Sequence, residues 1–182
     1  SKNSILYYEK GTGRLFEFDF KEKSEQVILD TILPNFISSL WSPTKKEVIY
    51  SFYSQSGRDY KHYNLSTGKI TQLDPNIRSF AFSSDGNELV YYYLDEGLGQ
   101  DQASLPDEAI SAKAGKIVVA QTDGQYPKKI LDTRIKDLEI SWPAKNQIVL
   151  KTMNSGVYIL TEEGRLTKFM EPMGLLQESW SQ

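Results

Sequence analysis

The sequence predicts an all-β chain whose strands form four-stranded antiparallel sheets. Three observations support this fold class. The chain has 182 residues, of which 12% are aromatic and 11 are tyrosine, and such a composition favours strands. A strand pattern recurs at intervals of about 40 residues. Within each repeat, the strands are joined by short Gly-containing turns that are typical of hairpins.

The first 29 residues predict three strands, Ile5–Tyr8, Arg14–Phe18 and Gln26–Leu29. Compared with the later repeats, these correspond to the second, third and fourth strands of a sheet. Leu175–Trp180, at the other end of the chain, has the pattern of a first strand that no other strands follow. We therefore expect this segment to complete the N-terminal sheet.

Each repeat is marked by an aromatic residue next to a turn. The aromatic residues are separated by 41, 60 and 38 residues, and an insertion of about 20 residues accounts for the long middle interval. Their segments are Leu40–Pro43, Ala81–Ser84, Ile140–Pro143 and Glu178–Ser181. In the three complete repeats, the second and third strands are predicted at Glu47–Tyr53 and Lys61–Leu65, Glu88–Tyr93 and Lys116–Ala120, and Gln147–Thr152 and Val157–Leu160.

A single four-stranded sheet cannot cover both of its faces, and radial stacking of such sheets solves this problem in β-propellers. The sequence therefore predicts one propeller domain with four blades. The domain spans residues 1–182, with blade repeats at about 30–74, 75–132 and 133–170 and a shared blade made of 1–29 and 171–182. Closure of the ring within one chain is the favoured arrangement. A part of a six- to eight-bladed propeller, or a homodimer with eight blades, is the alternative.

Two segments, Leu40–Tyr50 and Phe80–Tyr91, contain an aromatic residue, Ser, a polar turn and then an apolar strand. They resemble the WD40-like repeat of TolB-type β-propellers, in which aromatic-Ser-Pro-Asp-Gly-Lys precedes such a strand. Thr44–Lys45 replaces Asp-Gly in the first complete repeat, and Ala144–Asn146 replaces it in the third, where we expect the chain to turn through Pro143. The resemblance implies a protein-interaction platform of a bacterial envelope, in a periplasmic or extracellular setting.

An acidic insertion, Leu94–Gly115, separates the second and third strands of the second complete repeat. It carries five acidic residues and neither Lys nor Arg before Lys113, and its second half predicts a short helix. Because long loops in compact domains are usually functional or disordered, we expect a protein partner to bind here. A tolerated surface insertion without a role is the alternative. The candidate partner-binding residues are Asp95, Glu96, Leu98, Asp101, Leu105, Asp107, Glu108 and Ile110, together with Tyr53 and Tyr93 on strands.

Composition argues against several classes of function. The absence of Cys and the single His62 exclude disulfides, thiolate sites and sites that need two histidines, so we expect His62 to lie at the surface or to pack between blades. No Gly-x-Ser-x-Gly nucleophile motif is present, the net charge of −3 disfavours nucleic acid, and no apolar run approaches the ~20 residues of a membrane span. We expect a non-enzymatic chain without cofactor or metal, monomeric or homodimeric. The alternatives are a propeller that filters substrates for a larger hydrolase or peptidase, and a scaffold without a specific ligand.

Overall fold

The computed structural model describes residues 3–55, 57–94, 115–133, 138–152 and 156–170. All regular secondary structure in these ranges is β-strand. The chain divides into two compact units, Ser1–Pro75 and Asn76–Gln182, and each unit contains two antiparallel sheets. In every sheet the strands follow one another in chain order, as consecutive hairpins require.

The first unit contains seven strands among its described residues. They are β1 (Ser4–Tyr8), β2 (Leu15–Asp19), β3 (Ser24–Leu29), β4 (Phe36–Trp41), β5 (Glu47–Ser54), β6 (Gly57–Asn64) and β7 (Ile70–Gln72). Strands β1 to β3 form a three-stranded sheet, and β4 to β7 form a four-stranded sheet. The three predicted N-terminal strands are therefore confirmed.

The second unit contains two four-stranded sheets. Their strands are β8 (Ile77–Phe82), β9 (Glu88–Tyr93), β10 (Gly115–Gln121), β11 (Lys128–Thr133), β12 (Leu138–Ala144), β13 (Gln147–Thr152), β14 (Gly156–Leu160) and β15 (Leu166–Met170). Strands β8 to β11 form one sheet and β12 to β15 form the other. The predicted all-β class with four-stranded antiparallel blades is confirmed by this arrangement.

Each unit has a core between its two sheets. In the first unit Leu15 and Leu29 pack with Val48 and Tyr50. In the second unit, the alternation of side chains along β9 turns Val90 and Tyr92 towards the residues of β12 to β14. These apolar residues remove their surface from water at about 25 cal/mol per Å² buried, which is the main contribution to the stability of each sheet pair.

A buried serine holds the turn between the first and second strands of two sheets. Ser42 is 2% exposed and Ser83 is 5% exposed. The Ser42 hydroxyl accepts the backbone N–H of Glu47 at 3.2 Å. The Ser83 hydroxyl accepts the N–H of Asn87 at 3.1 Å and of Glu88 at 2.9 Å. The Ser of the repeat therefore satisfies backbone donors inside the turn, which explains its place after the aromatic residue.

The third turn differs from the predicted one. Pro143 lies within β12, and the chain turns after Ala144 through Lys145 and Asn146, so the expectation of a turn at Pro143 is wrong. The ladder between β12 and β13 is interrupted between Ser141 and Ala144. Pro143 is tolerated in the strand because a residue in such an interruption does not need to donate to the ladder.

Two parts of the predicted fold lie outside the described residues. They are the helix-containing insertion between Leu94 and Gly115 and the C-terminal strand Leu175–Trp180. Leu94 and Gly115 themselves are described, and Gly115 is the first residue of β10. No helix among the described residues is long and apolar enough to span a membrane.

Candidate functional site

Most of the predicted partner-binding residues fall in the insertion. Asp95, Glu96, Leu98, Asp101, Leu105, Asp107, Glu108 and Ile110 lie outside the described residues. Tyr53 and Tyr93 are described and belong to different units. The insertion therefore remains a predicted binding site. Of the predicted partner-binding residues, only Tyr53 and Tyr93 have described positions.

Tyr93 ends β9, next to the insertion. The ammonium group of Lys116, its partner in the β9–β10 register, lies 4.7 Å from the centre of the Tyr93 ring. The Asn76 side-chain amide donates a hydrogen bond to the Tyr93 hydroxyl at 3.4 Å. Tyr53, near the end of β5, is 59% exposed. Tyr93 is thus held by neighbours of its own unit, whereas most of Tyr53 faces solvent.

His62 lies inside the sheet β4–β7, with 2% of its surface exposed. Its Nε2 atom lies 3.5 Å from a carboxylate oxygen of Glu47. The Asn64 side-chain amide donates to the other Glu47 oxygen at 2.8 Å. Glu47 therefore has a polar neighbour at each oxygen.

An unpredicted cavity of about 340 Å³ lies among the turns of the second unit, and we name it the turn cavity. It is lined by Ser83, Ser84, Asp85, Glu88, Trp142, Lys145 and Glu162. The two serines and Asp85 belong to the turn between β8 and β9, and Glu88 is the first residue of β9. Trp142 lies on β12, and Lys145 and Glu162 lie in two turns of the sheet β12–β15. Three hairpins of one unit therefore place three carboxylates, one ammonium group and one indole around the same space.

The three carboxylates differ in how far their hydrogen bonds are satisfied. Asp85 accepts bonds from the Ser83 hydroxyl at 2.6 Å and from the Asn87 N–H at 3.1 Å, and these bonds lower the pKa of Asp85. One oxygen of Glu162 accepts the Asn146 N–H at 3.0 Å, and the Asn146 side chain accepts the Glu162 N–H at 2.8 Å. Asp85 therefore stabilises its own turn, while Glu162 joins the two turns of its sheet.

Glu88 is the carboxylate without a side-chain hydrogen bond to another described residue. Burial raises the pKa of Glu88, and the negative charges of Glu162 and then Asp85 raise it further, whereas Lys128 lowers it. Although Glu88 is exposed, its ionised form is therefore less favourable in the folded chain than in the unfolded chain. A cation in the turn cavity would relieve that repulsion.

Trp142 forms one wall of the turn cavity and belongs to the core of the second unit. It is 4% exposed and packs with Val90 and Ile148. Its indole N–H has no hydrogen-bond acceptor among the described residues. A buried N–H without an acceptor costs about 1–3 kcal/mol, so this group favours a ligand that supplies one.

The first unit has a larger cavity at the corresponding place. Its volume is about 710 Å³, and it is lined by Ser4–Leu6, Glu17 and Trp41–Lys45. Trp41 and Lys45 occupy the places that Trp142 and Lys145 have in the second unit. The sheet β1–β3 has no strand before β1 among the described residues, and within this part of the chain no turn before β1 borders the cavity as Ser83–Asp85 borders the turn cavity.

The described residues do not assemble a metal centre. No group of three or more His, Asp or Glu side chains among them could hold a metal ion. The sequence contains no Cys.

Known protein structures share the fold of this chain over nearly its whole length. TolB from Acinetobacter baumannii matches with a TM-score of 0.54 and 14% identity, covering 91% of this chain and 40% of that protein. An oligogalacturonate lyase in complex with manganese matches with a TM-score of 0.60 and 13% identity, covering 91% of this chain and 49% of that one.

The β-propeller domain of the Trilobed protease from Pyrococcus furiosus matches with a TM-score of 0.57 and 14% identity. The alignment covers 93% of this chain and 53% of that one. This chain thus spans about half or less of the length of these three structures. No protein-family description and no curated protein sequence matches it. At these identities the likeness defines the fold alone, and the chain has the β-propeller fold of TolB-type domains.

Proposed function

We propose that this chain is a non-catalytic protein-binding domain that presents its ligand-contacting groups on the turns and loops of rigid blades. The turn cavity carries the proposal, because its wall contains a buried indole N–H without an acceptor among the described residues and the exposed carboxylate of Glu88. Binding groups on loops that a rigid scaffold positions are common in proteins. The acidic insertion 95–114 is a second candidate surface of the same domain.

A bacterial envelope setting is part of this proposal and comes from the likeness to TolB. The non-catalytic character is supported by the chemistry of the described residues. Serine needs an adjacent base to act as a nucleophile, and the buried Ser42 and Ser83 instead hold turns together. His62 is buried beside Glu47 in the sheet β4–β7.

A substrate-filtering propeller of a larger peptidase is the second candidate function. Its support is the likeness to the Trilobed protease propeller domain and to an acylaminoacyl peptidase, of which this chain covers 31%. On this alternative the chain contributes no catalytic group, and it recognises peptides before cleavage by another domain. A peptidase domain encoded in the same gene would favour it.

Affinity capture with three baits tests the protein-binding function. The baits are the unaltered chain, a chain whose residues 95–114 are replaced by a short Gly-Ser linker, and the double variant Glu88→Gln, Glu162→Gln. Each retained protein is identified and purified, and its dissociation constant is measured with each bait. Thermal unfolding of every bait verifies that it is folded.

We expect a partner whose affinity falls at least tenfold with one of the two altered baits. Loss with the linker bait places the partner on the insertion, and loss with the double variant places it at the turn cavity. A partner with equal affinity for all three baits would contradict both sites. The absence of any purified protein with measurable affinity for folded bait would contradict the protein-binding function.

A further inference from the structure

We propose that the turn cavity of the second unit binds an arginine side chain from a basic, extended segment of a protein partner. This inference rests on the proposed protein-binding function and adds the chemistry of the partner. The observations that carry it are the charge of the cavity, the state of its two glutamates, the ring and the buried N–H of Trp142 in the cavity wall, and the cavity volume. Together they favour an arginine side chain that belongs to a peptide segment.

The carboxylates of the turn cavity favour a cation with two donor edges. Asp85 is saturated by Ser83 and Asn87, so it contributes charge but little free hydrogen-bonding capacity. Glu88 has no side-chain hydrogen bond to a described residue, and the bond from the Asn146 N–H occupies one oxygen of Glu162. A guanidinium group carries five N–H donors in a planar fork, so it suits two partly free carboxylates better than a compact ammonium group does.

The cavity wall contributes an aromatic surface and a donor. Arginine stacks on aromatic faces, and Trp gives the strongest cation–π attraction among the aromatic residues. The unpaired N–H of Trp142 needs an acceptor rather than a cation. An arginine within a peptide supplies both, because backbone carbonyl groups flank its side chain on either side.

Two features argue for a single side chain of an extended segment. The cavity of about 340 Å³ is near the lower limit for small-molecule pockets, which run from roughly 300 to 1,000 Å³. Lys145, also on the wall, is exposed, so it can meet an acidic or carbonyl group of the segment outside the cavity. A metal ion fits less well, since no cluster of three metal-binding side chains occurs among the described residues.

Nuclear magnetic resonance of the full chain tests the inference with three small probes. They are N-acetyl-arginine amide, its neutral analogue N-acetyl-citrulline amide, and methylguanidinium, which carries the charge without a peptide group. The indole N–H signals of the three tryptophans report binding, and the variant Trp142→Phe identifies the signal of Trp142.

We expect saturable movement of the Trp142 indole signal with the arginine amide and at least fivefold weaker binding of methylguanidinium. The citrulline amide should leave this signal in place. Glu88→Gln should weaken binding of the arginine amide at least tenfold. Glu163→Gln is the matched control, because Glu163 is exposed on the same turn as Glu162 and does not line the cavity.

Three results would overturn the inference: equal responses to the arginine and citrulline amides, unchanged affinity in folded Glu88→Gln, or an unmoved Trp142 signal at saturation. Trp142→Phe keeps an aromatic ring in the core, so reduced affinity in a folded Trp142→Phe chain would support the role of the N–H.

The capture experiment separates this inference from the proposed function. A partner that depends on residues 95–114, with no binding of the arginine amide, overturns the inference and leaves the protein-binding function in place. Binding of the arginine amide by a chain that captures no protein overturns the protein-binding function and supports the cavity as a guanidinium site.

Discussion

Glu47 and Glu88 occupy the same place in two repeats, yet their surroundings differ. Each is the first residue of the second strand of its sheet. Glu47 lies in the first unit between Asn64 at 2.8 Å and His62 at 3.5 Å. Glu88 lies in the second unit, where burial and then the charges of Glu162 and Asp85 raise its pKa. The repeat therefore places a glutamate at the same position of both sheets. The neighbouring side chains determine whether that glutamate stabilises the fold or keeps its carboxylate available to a ligand.

The two tryptophans that line the cavities show the same contrast. Trp142 is 4% exposed in the core of the second unit, and its N–H lacks an acceptor among described residues. Trp41 is half-buried and packs on Tyr8, with ring centres 5.7 Å apart. The turn cavity is thus built on a core residue, whereas the cavity of the first unit has a more accessible wall.

Replacing each of the two tryptophans with alanine should give the largest difference in stability loss between the two units. We expect Trp142→Ala to lower the free energy of unfolding by about 3–5 kcal/mol, because it leaves a void in a closed core. Trp41→Ala should cost about 1–2 kcal/mol, since its side chain already contacts solvent. Urea denaturation of both variants measures the difference. Equal losses would contradict the assignment of Trp142 to the core.

Neutralisation of the two glutamates should change stability in opposite directions. Glu47→Gln weakens the charge-assisted bond from Asn64 and the contact with His62, and we expect a loss of about 1–2 kcal/mol. Glu88→Gln removes repulsion from Glu162 and Asp85, so we expect a higher melting temperature at neutral pH. Calorimetry of both variants in one buffer tests the comparison. A lower melting temperature for Glu88→Gln would show that Glu88 has a stabilising partner.

Substitution of the residue with positive φ in each of the two serine-anchored turns should change the stability of the chain. Lys45 has a φ of 57°, and its counterpart Gly86 has a φ of 75°. Because a side chain is strained in this left-handed region, we expect Gly86→Ala to cost about 1 kcal/mol. Lys45→Gly should gain about 0.5 kcal/mol, since relief of strain exceeds the added freedom of the unfolded chain. Denaturation midpoints of the two variants are the measurement, and a destabilising Lys45→Gly would contradict the strain.

The smallest expected effect is a pH dependence of the Glu88→Gln difference. The pKa of Glu88 is higher in the folded chain than the ordinary value of 4.5, so the folded state holds this proton more tightly than the unfolded state. Stability from Glu88 therefore falls as pH rises from the ordinary value through the raised one. We expect the gain in melting temperature of Glu88→Gln to be full at neutral pH and to vanish near about pH 4. A gain that is independent of pH would point to an effect other than charge.

Much of the fold follows from the sequence because the repeat and its turns are local signals. The three N-terminal strands and the four-stranded sheets were predictable from alternation and Gly-containing turns. The position of the third turn was not predictable. Proline is common in turns, but Pro143 lies within a strand because the ladder is interrupted between Ser141 and Ala144. Such an interruption depends on pairing with β13, which single-sequence patterns do not specify.

The turn cavity could not be predicted in the same way. Its residues come from three hairpins, and Ser83 and Glu162 are far apart in the chain. The partner-binding site predicted from the sequence rested on the length of the insertion, which the sequence shows directly. The insertion residues of that site lie outside the described ranges. One available signal was the recurrence of Glu at 47 and 88. Its meaning depends on cross-strand partners such as Asn64, which only the sheet register identifies.

The buried hydroxyl of Ser42 has a consequence for engineering. It accepts the Glu47 N–H inside the turn and lies 3.1 Å from the Thr44 hydroxyl, while Pro43 and Lys45 are exposed. Pro43 and Lys45 can therefore be exchanged without removing either hydrogen bond of the serine. A designer who wanted a new recognition loop on this scaffold would keep Ser42 and Thr44, vary Pro43 and Lys45, and leave the sheets untouched.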